Sequence, residues 1–130
     1  MKKILITICL VAVLALAIAF SLGSSPITPA AVPESDVVIP MSASRPGCDK
    51  ADWCYTPSEL TVDVGKTVTW LNDDSGLHTV TSGYYNTSDG MFDSGHIDPE
   101  TTFSYTFEKA GSFHYFCNLH PWMEGTITVR

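Results

Sequence analysis

From Val37 onward the apolar residues of this chain recur with a period of two. Leu60, Val62 and Val64 alternate with Thr61 and Asp63, and Phe103, Tyr105 and Phe107 alternate with Ser104 and Thr106. Phe113, Tyr115 and Cys117 follow in the same way after Ala110-Gly111, and Ile127 and Val129 close the chain. Successive side chains of an extended strand point to opposite faces, so this pattern predicts half-buried strands and offers no stripe for an amphipathic helix. Turn residues separate seven strand-like segments, near 37–40, 58–64, 67–72, 78–82, 101–107, 112–117 and 125–130. The expected body, residues 37–130, is an all-β antiparallel sandwich. Residues 83–98, rich in Gly, Asp and Tyr, are expected to run over the surface. About 100 residues support one core, which excludes a multi-domain enzyme. Charged residues at 16% and hydrophobic residues at 45% exclude a disordered chain.

The opening predicts export. Met1-Lys2-Lys3 precedes Ile4 to Phe20, a run without a charge, and Ala17-Ile18-Ala19 fits a small-residue cleavage site. The run also sits at the lower limit for spanning a bilayer, so residues 1–20 are a signal peptide or a membrane anchor, helical in either case. Cys9 lies within it as a small hydrophobe. Residues 21–36 hold Pro26, Pro29 and Pro33 among Ser, Thr and Ala, a linker composition too poor in large apolar groups to fold alone. Acidic residues outnumber basic ones fourteen to seven, and removing Lys2 and Lys3 takes the net charge from −7 to −9. Such a surface excludes nucleic acid as a partner.

Chemistry gathers near the C-terminus, where the chain reads Phe113-His114-Tyr115-Phe116-Cys117-Asn118-Leu119-His120-Pro121-Trp122-Met123-Glu124-Gly125. Cys117, His120 and Met123 are three candidate ligands within seven residues, between one strand and the next. A thiolate, an imidazole and a thioether suit copper far better than calcium or magnesium. One more imidazole completes the His2Cys trigonal set with a weak axial Met that serves electron transfer, and His78, after the Asp73-Asp74-Ser75-Gly76 turn at the start of a strand, can supply it. Two nitrogens and one sulfur in a plane, with a distant thioether, suit both Cu(II) and Cu(I), so little has to move when an electron enters or leaves.

At these residues the chain resembles the cupredoxins, the small blue copper proteins that include plastocyanin, amicyanin and halocyanin. Cys117-Asn118-Leu119-His120-Pro121-Trp122-Met123 is similar to the short Cys-x2-His-Pro-aromatic-Met loop of amicyanin. Val62-Asp63-Val64-Gly65-Lys66-Thr67-Val68-Thr69-Trp70, His78-Thr79-Val80, Phe92-Asp93-Ser94-Gly95 and Gly125-Thr126-Ile127-Thr128-Val129 extend the resemblance over residues 54–130. It implies a Greek-key β-sandwich, one copper ion, and single-electron shuttling between redox partner proteins rather than enzymatic turnover. Two departures stand out. The family often has Asn after the first histidine, where this chain has Thr79, and Phe116 replaces the tyrosine that precedes the copper cysteine of plastocyanin.

The resemblance also implies that the loop histidine, His120, exposes its edge within an apolar patch. Leu77, Leu119, Pro121 and Trp122 would form that patch, suited to brief docking of a monomer on basic redox partners. An exported carrier that passes the copper ion itself is the competing function, and small-molecule chemistry at an open axial position a weaker third. Cys48 and Cys54, with five residues between them in an exported chain, predict a disulfide, with a second metal site using His96 or His114 as the rival. His96 reads as a solvated loop residue and His114 as structural, pointing away from the Cys117 face. Asn86-Thr87-Ser88 matches a glycosylation acceptor and marks its stretch as exposed.

Overall fold

The computed structural model describes residue 31 and residues 33–130. The expected signal or anchor helix over 1–20, Cys9 within it, and most of the 21–36 linker lie outside the described residues. Among the described residues there is no helix long and apolar enough to cross a membrane.

Eight strands form the body: β1 (Val37–Ile39), β2 (Glu59–Val62), β3 (Thr67–Asn72), β4 (Thr81–Tyr84), β5 (Thr87–Asp93), β6 (Thr102–Thr106), β7 (Gly111–Cys117) and β8 (His120–Val129). One sheet has the order β1-β3-β6 and the other β2-β8-β7-β4-β5. Inward residues of both supply a single core, as the period-two pattern requires. Trp70, from the β-branched and aromatic run of β3, sits at its centre fully buried. Its ring lies 5.5 Å from Tyr115, 5.7 Å from Phe103 and 6.3 Å from Phe92, so one indole joins residues of both sheets.

Four features differ from the sequence reading. The sheets are mixed rather than antiparallel, because β1 runs parallel to β3, with Val37 opposite Trp70, and β2 runs parallel to β8, with Leu60 opposite Ile127. Alternation fixes which side chains face inward but carries no information on strand direction. Second, β5 occupies part of the expected surface run. It is an edge strand hairpinned to β4, and of its residues only Phe92 is buried. With both faces wet its pairing rests on the backbone, and Asn86, at φ 62° in the Tyr85-Asn86 turn, and Gly90, at φ 78°, supply turns that mask a strand pattern. Third, β4 begins at Thr81. His78 instead forms an isolated bridge with Ile97, and the Val80 N–H donates to Ser94 Oγ at 2.8 Å instead of to a neighbouring strand. Fourth, β8 begins at His120 rather than near residue 125.

Cys48 and Cys54 are joined, with their Cα atoms 4.9 Å apart, and both are buried. The bridge closes the turn-rich segment between β1 and β2, and it removes the rival metal site that would have needed both thiols. Loop-closure entropy for a ring this short is worth about 2 to 2.5 kcal/mol. The Cys48→Ala/Cys54→Ala protein is therefore expected to lose about that much in equilibrium denaturation, with both sheets intact. A loss above about 5 kcal/mol would show that the bridge holds the sandwich itself.

Candidate metal centre

The site is built by an irregularity between two paired strands. Tyr115 lies opposite Gly125 and Phe116 opposite Glu124, but the register then shifts and Cys117 lies opposite His120. Asn118 and Leu119 make the connecting turn, and Pro121, Trp122 and Met123 are left as extra residues on β8. Such bulges bend a strand and re-aim its side chains. Proline fits here because a bulge asks for no ladder N–H. The expected short ligand loop is thus a two-residue turn followed by a bulged strand. Cys117 and Met123 are fully buried, while His120 is half-buried.

His78 arrives from the other side of the same sheet end, on the segment before β4, and is also fully buried. Its Nδ1 lies 3.8 Å from Cys117 Sγ, and His120 Nδ1 lies 3.6 Å from the same sulfur. One donor atom from each of the three side chains falls within 4.8 Å of the others. A first-row ion about 2.3 Å from sulfur and about 2.0 Å from nitrogen, with its ligands at trigonal angles, sets N···S near 3.7 Å. The donors are therefore spaced as ligands around one ion, and their softness is that of a copper site.

Hydrogen bonds hold this arrangement. The Thr79 N–H donates to Cys117 Sγ at 3.3 Å, and the Asn118 N–H donates to Thr79 Oγ1 at 2.8 Å. Asn118 Nδ2 donates to Thr81 Oγ1 at 2.9 Å, and that hydroxyl donates to Asp93 Oδ1 at 3.2 Å. Thr79, in the place where the family often has Asn, thus ties the Cys117 turn to the His78 segment by its hydroxyl, and the amide comes instead from Asn118. Tyr55, fully buried, donates its hydroxyl to the Thr79 carbonyl at 2.7 Å. His78 donates from Nε2 to Asp74 Oδ2 at 2.9 Å, which leaves the Nδ1 lone pair facing the sulfur.

Burial pushes the Cys117 thiol up, but the His78 imidazole and the backbone N–H groups of Thr79, Leu119 and His120 outweigh it and hold the thiol below its ordinary range. Burial likewise opposes charge on His78, yet Cys117 and Asp74 raise its pKa. Burial lowers that of His120, and the neighbouring His78 lowers it further. The site therefore favours a thiolate, the form that binds metal.

Leu77 is 40% and Leu119 43% exposed, Pro121 and Trp122 are half-buried, and the Trp122 ring lies 5.5 Å from that of His120. His96 is exposed, as is Asn86. His114 packs against Tyr84 with ring centroids 4.2 Å apart and lies 3.1 Å from Thr126 Oγ1, outside the ligand cluster. Asp74 and Tyr55 are the site residues that sequence reasoning missed. The spacing of Asp74, four residues before His78, was the available signal; Tyr55 had none.

An all-β sandwich that holds two imidazoles and a thiolate at one end defines a cupredoxin-type copper protein. Residues 43–130 match the family described as copper binding proteins, plastocyanin/azurin family, and the chain belongs to it, with one copper ion as its cofactor. It is 30% identical to amicyanin of Paracoccus versutus over 108 residues, covering 83% of this chain and 75% of that one. It is 36% identical to halocyanin of Natronomonas pharaonis over 101 residues, covering 75% of this chain and 58% of that one. Among solved structures, a purple cupredoxin from Nitrosopumilus maritimus superposes with a TM-score of 0.67 at 33% identity, over 75% of this chain and 100% of that one.

Proposed function

We propose that this chain is an exported type 1 copper protein that carries single electrons between redox partners, and that His78 Nδ1, Cys117 Sγ, His120 Nδ1 and the Met123 thioether would hold its copper. The carrying observation is that two imidazole nitrogens stand 3.8 and 3.6 Å from one buried sulfur, which already accepts a backbone N–H from Thr79. Bound copper supplies a one-electron Cu(II)/Cu(I) couple. The protein's part is to keep the ligands still: the Thr79 N–H holds the sulfur, the Asn118 bonds to Thr79 and Thr81 hold the turn beside it, Asp74 fixes one imidazole, and burial keeps water from His78 and Cys117. His120 reaches the surface among Leu77, Leu119, Pro121 and Trp122, an apolar patch suited to short-lived docking. The surplus of acidic residues would steer basic partners toward the molecule. Residues 1–20 would take the chain out of the cytoplasm, to the periplasmic or extracellular face, by cleavage or as an anchor, with 21–36 as the linker.

A visible spectrum and a redox titration of the copper-loaded protein test the reading. An intense thiolate-to-copper band and reversible cycling with the metal retained are expected. Loss of copper on reduction would favour transport of the ion, and steady turnover of a small molecule would favour an enzyme. Met123→Leu should keep the band and raise the potential, because removing the thioether withdraws a donor from the oxidised ion. A potential that does not move would take Met123 out of the coordination sphere.

A further inference from the structure

We propose that Asp74 is a positioning residue for the copper site, whose buried carboxylate fixes the ring and tautomer of His78 and sets a negative charge beside the site that lowers its reduction potential. The inference rests on the copper reading above.

Asp74 is 4% exposed, and its two oxygens have separate tasks. Oδ1 accepts the Ser42 N–H at 2.9 Å and the Ser75 N–H at 2.8 Å, while Oδ2 accepts Nε2–H of His78 at 2.9 Å. The turn beneath it is framed by Asn72. Its Oδ1 accepts the Asp74 N–H at 3.0 Å, and its Nδ2 donates to the carbonyls of Gly76 at 2.8 Å and Ile97 at 2.9 Å. The carboxylate is thus clamped from two parts of the chain, residue 42 and the 72–76 turn. Among the described residues no Lys or Arg pairs with it; the ion pairs there are Lys66 with Asp36 and His78 with Asp74 itself. Its charge therefore acts on the imidazole without a competing cation.

Two consequences follow from elementary electrostatics. A carboxylate that accepts a hydrogen bond from Nε2–H raises the basicity of Nδ1 and orients the ring, as carboxylate–histidine pairs do at metal sites. A fixed negative charge in a poorly solvated place stabilises the more positive oxidation state of a nearby ion, which moves the potential down.

The test is Asp74→Asn in the full chain loaded with copper. Asparagine keeps an acceptor oxygen and nearly the same volume but removes the charge. The expected result is a folded protein that retains its visible band while its potential rises. A roughly tenfold change in the ratio of Cu(I) to Cu(II) affinity is expected, the lower end of what loss of such a partner costs, which is about 59 mV for a one-electron couple. Asp73→Asn, one residue away and exposed, should leave the potential where it is. An unmoved or lowered potential in Asp74→Asn would leave Asp74 with a structural role only, whatever its effect on melting temperature. Should that variant fail to fold, nitrogen NMR of the native Cu(I)-loaded protein decides: His78 should carry a slowly exchanging proton on Nε2, and a proton on Nδ1 overturns the proposal. A native protein without a thiolate-to-copper band defeats the copper reading itself, whereas a native band with an unmoved potential in the variant defeats only the role of Asp74.

Discussion

Replacing Cys117 by serine is expected to erase the intense visible absorption of the copper-loaded protein and to weaken copper binding by more than the roughly 10–100-fold that follows loss of an outer hydrogen-bonding partner. The absorption needs a thiolate bonded to the ion, and Cys117 is the free cysteine among the described residues. Its sulfur is also the point at which the site converges, 3.8 Å from His78 Nδ1, 3.6 Å from His120 Nδ1 and 3.3 Å from the Thr79 nitrogen. Serine leaves the Thr79 N–H an acceptor, so the metal-free fold should change in stability by no more than about 1 kcal/mol. The two effects are separable by measuring absorption and denaturation on the same variant. A spectrum identical to that of the parent protein would remove Cys117 from the site, and with it the electron-transfer reading.

The second large effect is expected at a position with no chemistry. Gly125 lies opposite Tyr115, two residues beyond the bulge of β8, and a Cβ there would overlap the Tyr115 ring and hydroxyl. The ring has nowhere to go: it is fully buried, with Tyr55 at 4.8 Å edge-on and Trp70 at 5.5 Å. Overpacking a tight core costs about 1–3 kcal/mol and occasionally more, and the rigidity of this stack places Gly125→Ala at about 3 kcal/mol. Adding Tyr115→Leu vacates the contested space, so the double variant should be more stable than the sum of the two single losses predicts. A loss below about 0.5 kcal/mol for Gly125→Ala in urea denaturation would mean that the ring can move aside. The glycine is tied to the metal centre as well, because the same β7–β8 pairing places Cys117 opposite His120.

The period-two pattern and the ligand spacing were readable along the chain because both are local. Leu60, Val62, Phe103 and Tyr105 each carry their inward or outward sense in their own neighbours, and Cys117, His120 and Met123 stand within one short segment. Less was readable at the sheet edges. β5 escaped notice because an edge strand with only Phe92 buried has no hydrophobic alternation to show. The parallel pairing of β1 and β2 escaped notice because direction is a property of how the ends of the chain return to the sheets. At the metal centre, Thr79 sits where the family often has an asparagine, yet the brace survives with the amide moved to Asn118. That exchange is visible only once both segments lie side by side.

The residues by themselves determined the all-β class, the candidate donors and their preference for a soft redox metal, since strand periodicity and ligand chemistry belong to each residue and its near neighbours. Only the tertiary structure brought His78 to within 3.8 Å of a sulfur thirty-nine positions away and aimed its other nitrogen at Asp74. Distances between remote segments follow from how two sheets bury their shared aromatic faces around Trp70. That packing is a property of the whole chain, which no local stretch of sequence specifies.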